Sequence, residues 1–242
     1  MTFTLVYIHA NDDEHRELAR QFVRSYHNHP PGIGHSTVIV LQCARYAVTE
    51  EMRRLFASLP SCTYFENDGV GKDIGAYLKV AKRLRSDWMV CFGGSTFVRR
   101  AGWMARMAQA AELHGAGFYG PTASYQLSPH LNTTGFWCPT FLLADSKRKV
   151  VTRNHRYDFE HGPDAFWKEV AFKKNLPVKL VTWDGEYDWS DWRKPANIYH
   201  RGDQSNCLTY FRHSINYQLA SPFYKRKYEL AADTLADKTF IP

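Results

Sequence analysis

The sequence is short of the features that staple or anchor a chain. Its 242 residues hold five cysteines: Cys43, Cys62, Cys91, Cys138 and Cys207. They are an odd number, widely spaced, with no Cys-x-x-Cys pair. That pattern argues against a disulfide framework or zinc ribbon and suits a reducing cytoplasm. No apolar run approaches the roughly 18 residues that a membrane span needs. The opening stretch, MTFTLVYIHANDDEH, lacks a basic segment ahead of its short apolar run and reads as a strand, not a signal peptide. Internal repeats, low-complexity tracts and a clear linker are missing too. So are HExxH, GxSxG and the EF-hand loop.

What is present is the composition of a packed domain. Apolar residues make up 44% and charged residues 23%, with 15 Phe, 14 Tyr and 7 Trp. Disorder, collagen and coiled coil are excluded as the main state, and the length supports a core without disulfides or structural metal. Lys plus Arg exceeds Asp plus Glu by 31 to 24, a net charge of +7. This favours anionic ligands but is spread too widely to name one. A nucleic-acid partner would require the basic residues on one face, and none is expected. His27 and His29 precede Pro-Pro and read as exposed. Lys147-Arg-Lys149 and Lys225-Arg-Lys227 read as solvated surface. The second run, interleaved with Phe223, Tyr224 and Tyr228, also suits peripheral contact with a membrane.

The first half alternates between two periodicities. Thr4–Ile8, Thr37–Leu41, Thr63–Glu66 and Trp88–Phe92 are short apolar runs with strand character. Between and after them lie helix faces at i, i+3, i+4, i+7 spacing: Ala19, Phe22, Val23, Tyr26; Met52, Leu55, Phe56, Leu59; Tyr77, Val80, Ala81, Leu84; and Met104, Met107, Ala108, Ala111. Asn11, Asp12 and Asp13 offer a cap for the first helix and Thr49 caps the second. Strands spaced 25–33 residues apart predict βαβ units and an α/β fold with a mostly parallel sheet flanked by helices. After about residue 115 Gly and Pro break the rhythm. The pattern there predicts a helix from Pro163, a strand at Val178–Trp183, and a helical tail from about Pro222. One domain over 1–242 is expected: a binding half at 1–110, a second half at 111–220 and a tail at 221–242.

In such a sheet ligands sit beyond the carboxyl ends of the parallel strands. Those ends are His9–Asn11, Gln42–Arg45, Asn67–Gly75 and Gly93–Thr96. The turn END-GVGKD-IGA combines Gly69, Gly71 and Gly75 with a helix start, a combination that admits a phosphate. It equally suits a strand-to-helix turn whose glycines are there for steric reasons. It is neither a Walker A loop, since Glu66 and Asp73 stand where Gly and Ser/Thr belong, nor GxGxxG.

The succession N-D-G-x-G-K-D-I-G-A, helix, D-W-M-V-C-F-G-G-S, then x-F-V-R-R-A-G-W resembles the nucleotide-sugar half of GT-A fold glycosyltransferases. It is most similar to family-2-like and rhamnan-synthesis-type bacterial enzymes. The resemblance covers roughly residues 3 to 110 and continues loosely to about 160. It implies a Rossmann-like nucleotide-diphospho-sugar transferase fold and sugar transfer to a glycan or lipid-linked glycan acceptor. Bacterial surface-polysaccharide synthesis in the cytoplasm, at the inner face of the membrane, is the setting it suggests. By that resemblance His9 and Asn11 would flank the base, Asp68 and Asp73 would contact base or ribose, and Lys72 would face the diphosphate. Gly94 and Ser95 fall where the family carries Asp-x-Asp, the holder of a divalent cation such as Mn²⁺ or Mg²⁺. Without it, Lys or Arg would neutralise the leaving group, with Arg99 and Arg100 as candidates, or the chain would be a non-catalytic binding module. An inverting transfer would need a carboxylate base from Asp158, Glu160 and Asp164, with Glu160 first and Asp164 second. His130, Asn132 and Trp137 would line the acceptor pocket, although Phe136 and Trp137 also fit a core. WDGEYDWSDW reads as a lid or as a structural loop, and Arg201 and Gln204 as polar contacts. His213 occupies the place of a late metal ligand in some relatives.

Overall fold

The computed structural model describes residues 1–10, 12–42, 49–124, 128–198 and 203–225, without the side chain of His213. In chain order the elements begin with β1 (Phe3–Ala10), α1 (Asp13–Asn28), β2 (Ser36–Gln42), α2 (Glu50–Phe56), β3 (Cys62–Asn67), α3 (Lys72–Ala81), β4 (Trp88–Phe92) and α4 (Trp103–His114). Then follow β5 (Phe118–Gly120), β6 (Ala123–Ser124), β7 (His130–Leu131), β8 (Gly135–Pro139), α5 (Thr140–Ala144), α6 (Arg153–His161) and α7 (Phe166–Lys168). α7 runs on as a π-helical turn at Glu169–Lys173. β9 (Val178–Val181), β10 (Glu186–Asp188) and α8 (Arg212–Leu219) complete the set.

Eight strands form one sheet in the order β10-β9-β5-β8-β4-β1-β2-β3, and β6 pairs with β7 separately. β4, β1, β2 and β3 are parallel neighbours, as are β5 and β9. β8 runs against both β4 and β5 and β10 runs against β9. β8 therefore welds two parallel blocks whose strands point the same way. The mostly parallel α/β sheet expected from the spacing is the sheet observed.

Alternation along β1 sorts the core into two layers, because successive side chains leave a strand on opposite faces. Leu5 and Tyr7 join Phe22, Met52, Phe56, Trp103 and Met107 under α1, α2 and α4. Val6 and Ile8 join Ile74, Tyr77, Leu142, Phe159 and Phe166 under α3 and α5–α7. Each fully buried aliphatic or aromatic side chain contributes roughly 1.5–3 kcal/mol. Asp12 caps α1 by accepting from the His15 amide at 2.8 Å, and Thr49 caps α2 through the Met52 amide at 3.3 Å.

The second half departs from expectation in three places. The helix predicted from Pro163 starts at Phe166, behind a turn at 162–165. A whole helix, α6, precedes it, capped by Thr152 Oγ1 on the His155 amide. Only Phe159 and Glu160 of α6 are buried, so it carries almost no apolar stripe to read. WDGEYDWSDW builds β10 and a 3₁₀ turn, and Arg106 anchors it by pairing with Glu186 and donating to the carbonyls of Thr182 and Gly185. Residues 222–225 form a helical turn, and the rest of the expected tail lies outside the described residues. No helix among the described residues is long and apolar enough to cross a membrane.

Candidate active site

The carboxyl ends of β1, β2, β3 and β4 lie at one edge of the sheet. Ala10 is in register with Gln42 and Gln42 with Asn67, while β4 ends at Phe92 opposite Tyr7. The turns after β3 and β4 thus share an edge. A chain of polar contacts ties them to the second half.

The turn after β3 is held from beneath by two amide side chains. Gln42 donates to the Lys72 carbonyl at 2.9 Å and accepts from Asn67 at 2.7 Å. Lys79 donates to both Asn67 and Asp68. Asp68 is exposed, and the Lys79 ammonium with the Val70 amide holds its carboxyl below the ordinary value. The glycines of this turn are steric. A Cβ on Gly71 would lie 2.0 Å from the Val150 carbonyl oxygen, and one on Gly75 would lie 2.5 Å from that of Val70. Gly71 also holds φ at +77°, which glycine adopts freely. What approaches Gly71 and Gly75 on their Cβ side is the chain's own backbone, which accounts for these two glycines by the steric alternative. Asp73 closes the helix start, its Oδ1 accepting from the Ile74 amide at 3.0 Å.

Asp73 is the hinge of the site. Its Oδ1 lies 3.0 Å from Arg156 Nε. Burial pushes its carboxyl above the ordinary value; Arg156 opposes that and Glu160 reinforces it. Burial pulls Arg156 down, but the carboxylates of Asp73 and Glu160 raise it overall. One guanidinium therefore faces two carboxylates, both largely buried. Glu160 is 9% exposed, and its Oε1 accepts from the Thr133 amide at 2.8 Å. Its Oε2 has no hydrogen-bond partner among the described residues.

The adjoining residues lead to the turn after β4. The Thr134 carbonyl accepts from the Gly93 amide at 2.7 Å and from Thr96 Oγ1 at 2.8 Å. The Gly94 carbonyl accepts from Tyr7 at 2.7 Å, and its Cα passes too close to the Ile8 carbonyl and His15 for a side chain. Ser95 is half-buried. Next to Glu160 in the chain, the His161 ring is 5.3 Å from that of His130 and 5.2 Å from that of Tyr157, tilted by 37°. Burial and the neighbouring His130 lower the His161 pKa. His130 Nδ1 meets the Ser128 carbonyl at 2.7 Å, and Asn132 caps its own turn through the Thr134 amide.

The structure thus gathers Asp73, Glu160, His130, Asn132, Gly94 and Ser95 around α6 and the β4 turn. Others lie elsewhere. His9 points to the opposite core layer, 1% exposed and edge-on to Phe56 at 5.5 Å. Trp137 is fully buried, stacked on Tyr119 at 5.6 Å; it has no surface to offer an acceptor. Asp164 is exposed and paired with Lys173 at 3.3 Å. Lys72 is exposed at the head of α3. Asn11, Arg201 and the side chain of His213 lie outside the described residues. Arg99 and Arg100 are exposed, as the solvated reading expects, and each also covers an aromatic ring: Arg99 lies over Tyr210 at 4.5 Å and Arg100 over Trp183 at 4.4 Å. Arg156 escaped the sequence reading, which placed Gln42 and Asn67 at strand ends without giving their side chains a role. The i, i+4 spacing of Arg156 and Glu160 is the signal that marks the first.

Among the described residues no three His, Cys, Asp or Glu side chains converge to hold a metal ion, and Gly93-Gly94-Ser95 offers no carboxylate. That donor set does not fit the divalent cation of the GT-A family.

The sequence matches no family model and no curated protein sequence. Among solved structures the chain is similar to S. aureus TarS and to mouse xyloside xylosyltransferase 1. S. aureus TarS shares 10% identity over 64% of this chain and 32% of its own, at a TM-score of 0.48. Its 1–349 form, in complex with UDP-GlcNAc, shares 13% over 60% and 47%, at 0.44. Mouse xyloside xylosyltransferase 1, in its apo form, shares 8% over 75% and 85%, at 0.49. The chain spans about a third of TarS and about half of its 1–349 form.

Proposed function

We propose that the chain is a glycosyltransferase that moves a sugar from a nucleotide-diphosphate donor to a glycan or lipid-linked glycan hydroxyl. The observation that carries this reading is Glu160. Its carboxylate is buried at the carboxyl edge of the parallel strands, with Oε1 fixed by a backbone amide and Oε2 left to take a proton. Glu160 acts as general base. As the acceptor oxygen bonds to the anomeric carbon, its proton passes to Oε2, the bond to the diphosphate oxygen breaks, and the nucleoside diphosphate leaves with that electron pair. The configuration inverts. Asp73 holds Arg156 on the same helix as Glu160, and Lys72 lends positive charge to the departing diphosphate. Bacterial surface-polysaccharide assembly at the cytoplasmic face is the setting that fits, with the exposed Phe223 and Tyr224 touching the membrane.

The absent Asp-x-Asp favours a second reading, a non-catalytic nucleotide-sugar or glycan-binding module on the same fold. A thermal-shift panel of UDP, GDP, CDP, dTDP and CMP, with and without Mn²⁺ or Mg²⁺, tests what both share. A nucleotide at about 100 times its Kd adds roughly 2.7 kcal/mol. Silence across the panel defeats the transferase and the nucleotide-sugar module, and leaves a glycan-binding module. Glu160→Gln separates them: it lowers turnover about 10²–10⁴-fold with nucleotide binding intact if the chain is an enzyme.

A further inference from the structure

A second concave site lies farther along the same edge. β9 points the same way as β4, so its carboxyl end, Thr182–Trp183, opens on the side of the sheet that carries Gly93. A cavity of about 400 Å³ sits there, walled by Arg100, Trp183, Asp184, Asn197, Ser205 and Asn206. This is within the range of small-molecule sites, roughly 300–1,000 Å³. The segment 203–211 joins it to the β4 turn through the paired backbones of Phe97 and Tyr210.

The walls are fixed, and their free groups are of definite kinds. The Trp183 indole donates to the Cys207 carbonyl at 3.1 Å, which locks the ring. Asp184 Oδ1 accepts from Thr182 at 2.6 Å and from Asn206 at 2.7 Å. Burial raises the Asp184 carboxyl, and those hydrogen bonds more than offset it, so it stays ionised. Its Oδ2 has no partner among the described residues. Nor has the side-chain amide of Asn197, whose backbone holds φ at +57°. Arg100 Cζ lies over the Trp183 ring, 4.4 Å from its centroid, and none of its N–H donors meets an acceptor among the described residues. An arginine stacked on an aromatic face has already lost much of its freedom and presents its fork for a planar or tetrahedral anion.

We propose that this cavity binds one pyranose ring of the glycan substrate and selects a ring bearing an anionic group, carboxylate or phosphate. Asp184 Oδ2 and the Asn197 amide take ring hydroxyls, the indole supplies the apolar wall, and Arg100 takes the anion. This rests on the glycosyltransferase reading, of which it names the acceptor class.

The test measures binding of methyl β-glucuronide, glucose 1-phosphate and methyl β-glucoside to the whole chain by calorimetry, without nucleotide. Both anionic sugars bind at least about fivefold more tightly than the neutral glycoside, near 1 kcal/mol. Arg100→Gln levels the three. Asn197→Ala weakens all of them alike. Arg99→Gln, on the neighbouring aromatic pair, leaves the preference in place. Equal binding by the unaltered chain, no binding of any of the three, or a preference that survives Arg100→Gln overturns the proposal. A response to glucuronide alone, with phosphate indifferent, narrows the anion to carboxylate and sustains it. The UDP thermal shift on the same variants reads the transferase proposal separately. A nucleotide response without anion preference sinks only the subsite, and the reverse sinks only the transferase.

Discussion

Arg156 Nε lies 3.0 Å from Asp73 Oδ1, so the helix that carries Glu160 is fastened to the head of the helix that follows β3. One cation serves two carboxylates there. Removing it by Arg156→Met leaves Asp73 without its partner and is expected to lower stability, by less than the roughly 3–5 kcal/mol of a fully buried pair because Arg156 is about a third exposed, read by urea denaturation at pH 7. Asp73→Asn is expected to do the opposite to stability. The Asp73 pKa is raised in the folded chain, so its ionised form opposes folding above the unfolded carboxylate pKa. Removing that charge leaves stability at pH 7 unchanged or higher while turnover falls. A large loss of stability in Asp73→Asn would contradict this account.

Gly71 and Gly102 provide a matched pair. Their φ values are +77° and +79°, but a Cβ on Gly71 meets the Val150 carbonyl at 2.0 Å while one on Gly102 meets nothing within 4 Å. Gly102→Ala should cost only the left-handed backbone penalty, roughly 1–2 kcal/mol. Gly71→Ala must displace backbone as well and should cost clearly more. Equal melting temperatures for the two variants would show that the contact with Val150 is dispensable.

His9 sets an acid limit. Burial, reinforced by the charge of His15, lowers its pKa to about 4, and neither ring nitrogen has a hydrogen-bond partner among the described residues. The unfolded chain binds this proton near pH 6.5 and the folded chain does not. The stability that goes with the neutral ring is full above about 6.5 and is lost as pH falls towards 4, at about 1.4 kcal/mol per pH unit. His9→Leu should flatten the decline between pH 6.5 and 4. His35 and His161 are lowered as well, so part of the slope remains. An unaltered profile in His9→Leu would rule His9 out as its source.

Within Lys147-Arg-Lys149 only the middle residue bears structure. Arg148 reaches Glu169 at 2.9 Å and the Asp164 carbonyl at 2.5 Å, while its neighbours are exposed. Arg148→Ala should cost about 1.5–3 kcal/mol. Lys147→Ala and Lys149→Ala should stay within about 0.5 kcal/mol. Chemical denaturation of the three variants checks this ordering.

These cases show where the sequence is readable. β1 to α4 follow from apolar periodicity, because each helix there turns a regular stripe to a sheet buried on both faces. α6 does not, because its work is polar: it offers Arg156 and Glu160 and buries little else. β8 is too short an apolar run to be told from a loop, and its antiparallel course depends on both its neighbours. For the site, the edge where ligands collect follows from strand direction. What END-GVGKD-IGA does there depends on Val150, 75 residues past Gly75, which no local pattern contains. Glu160 is legible as a candidate carboxylate; the Arg156–Asp73 pair beside it is not, since Asp73 is legible only in a different role.

The placement of β8 has a consequence for dissecting the protein. Residues 1–110 carry β1 to β4, yet within them β4 has its partner on one side only, since the other is supplied by Gly135–Pro139. A fragment cut there would bare a run of unmet amides and carbonyls flanked by Met89, Val90 and Cys91, an open template for self-association. Residues 1–110 are therefore a sequence unit without being a foldable one, and an attempt to express them alone should yield aggregate.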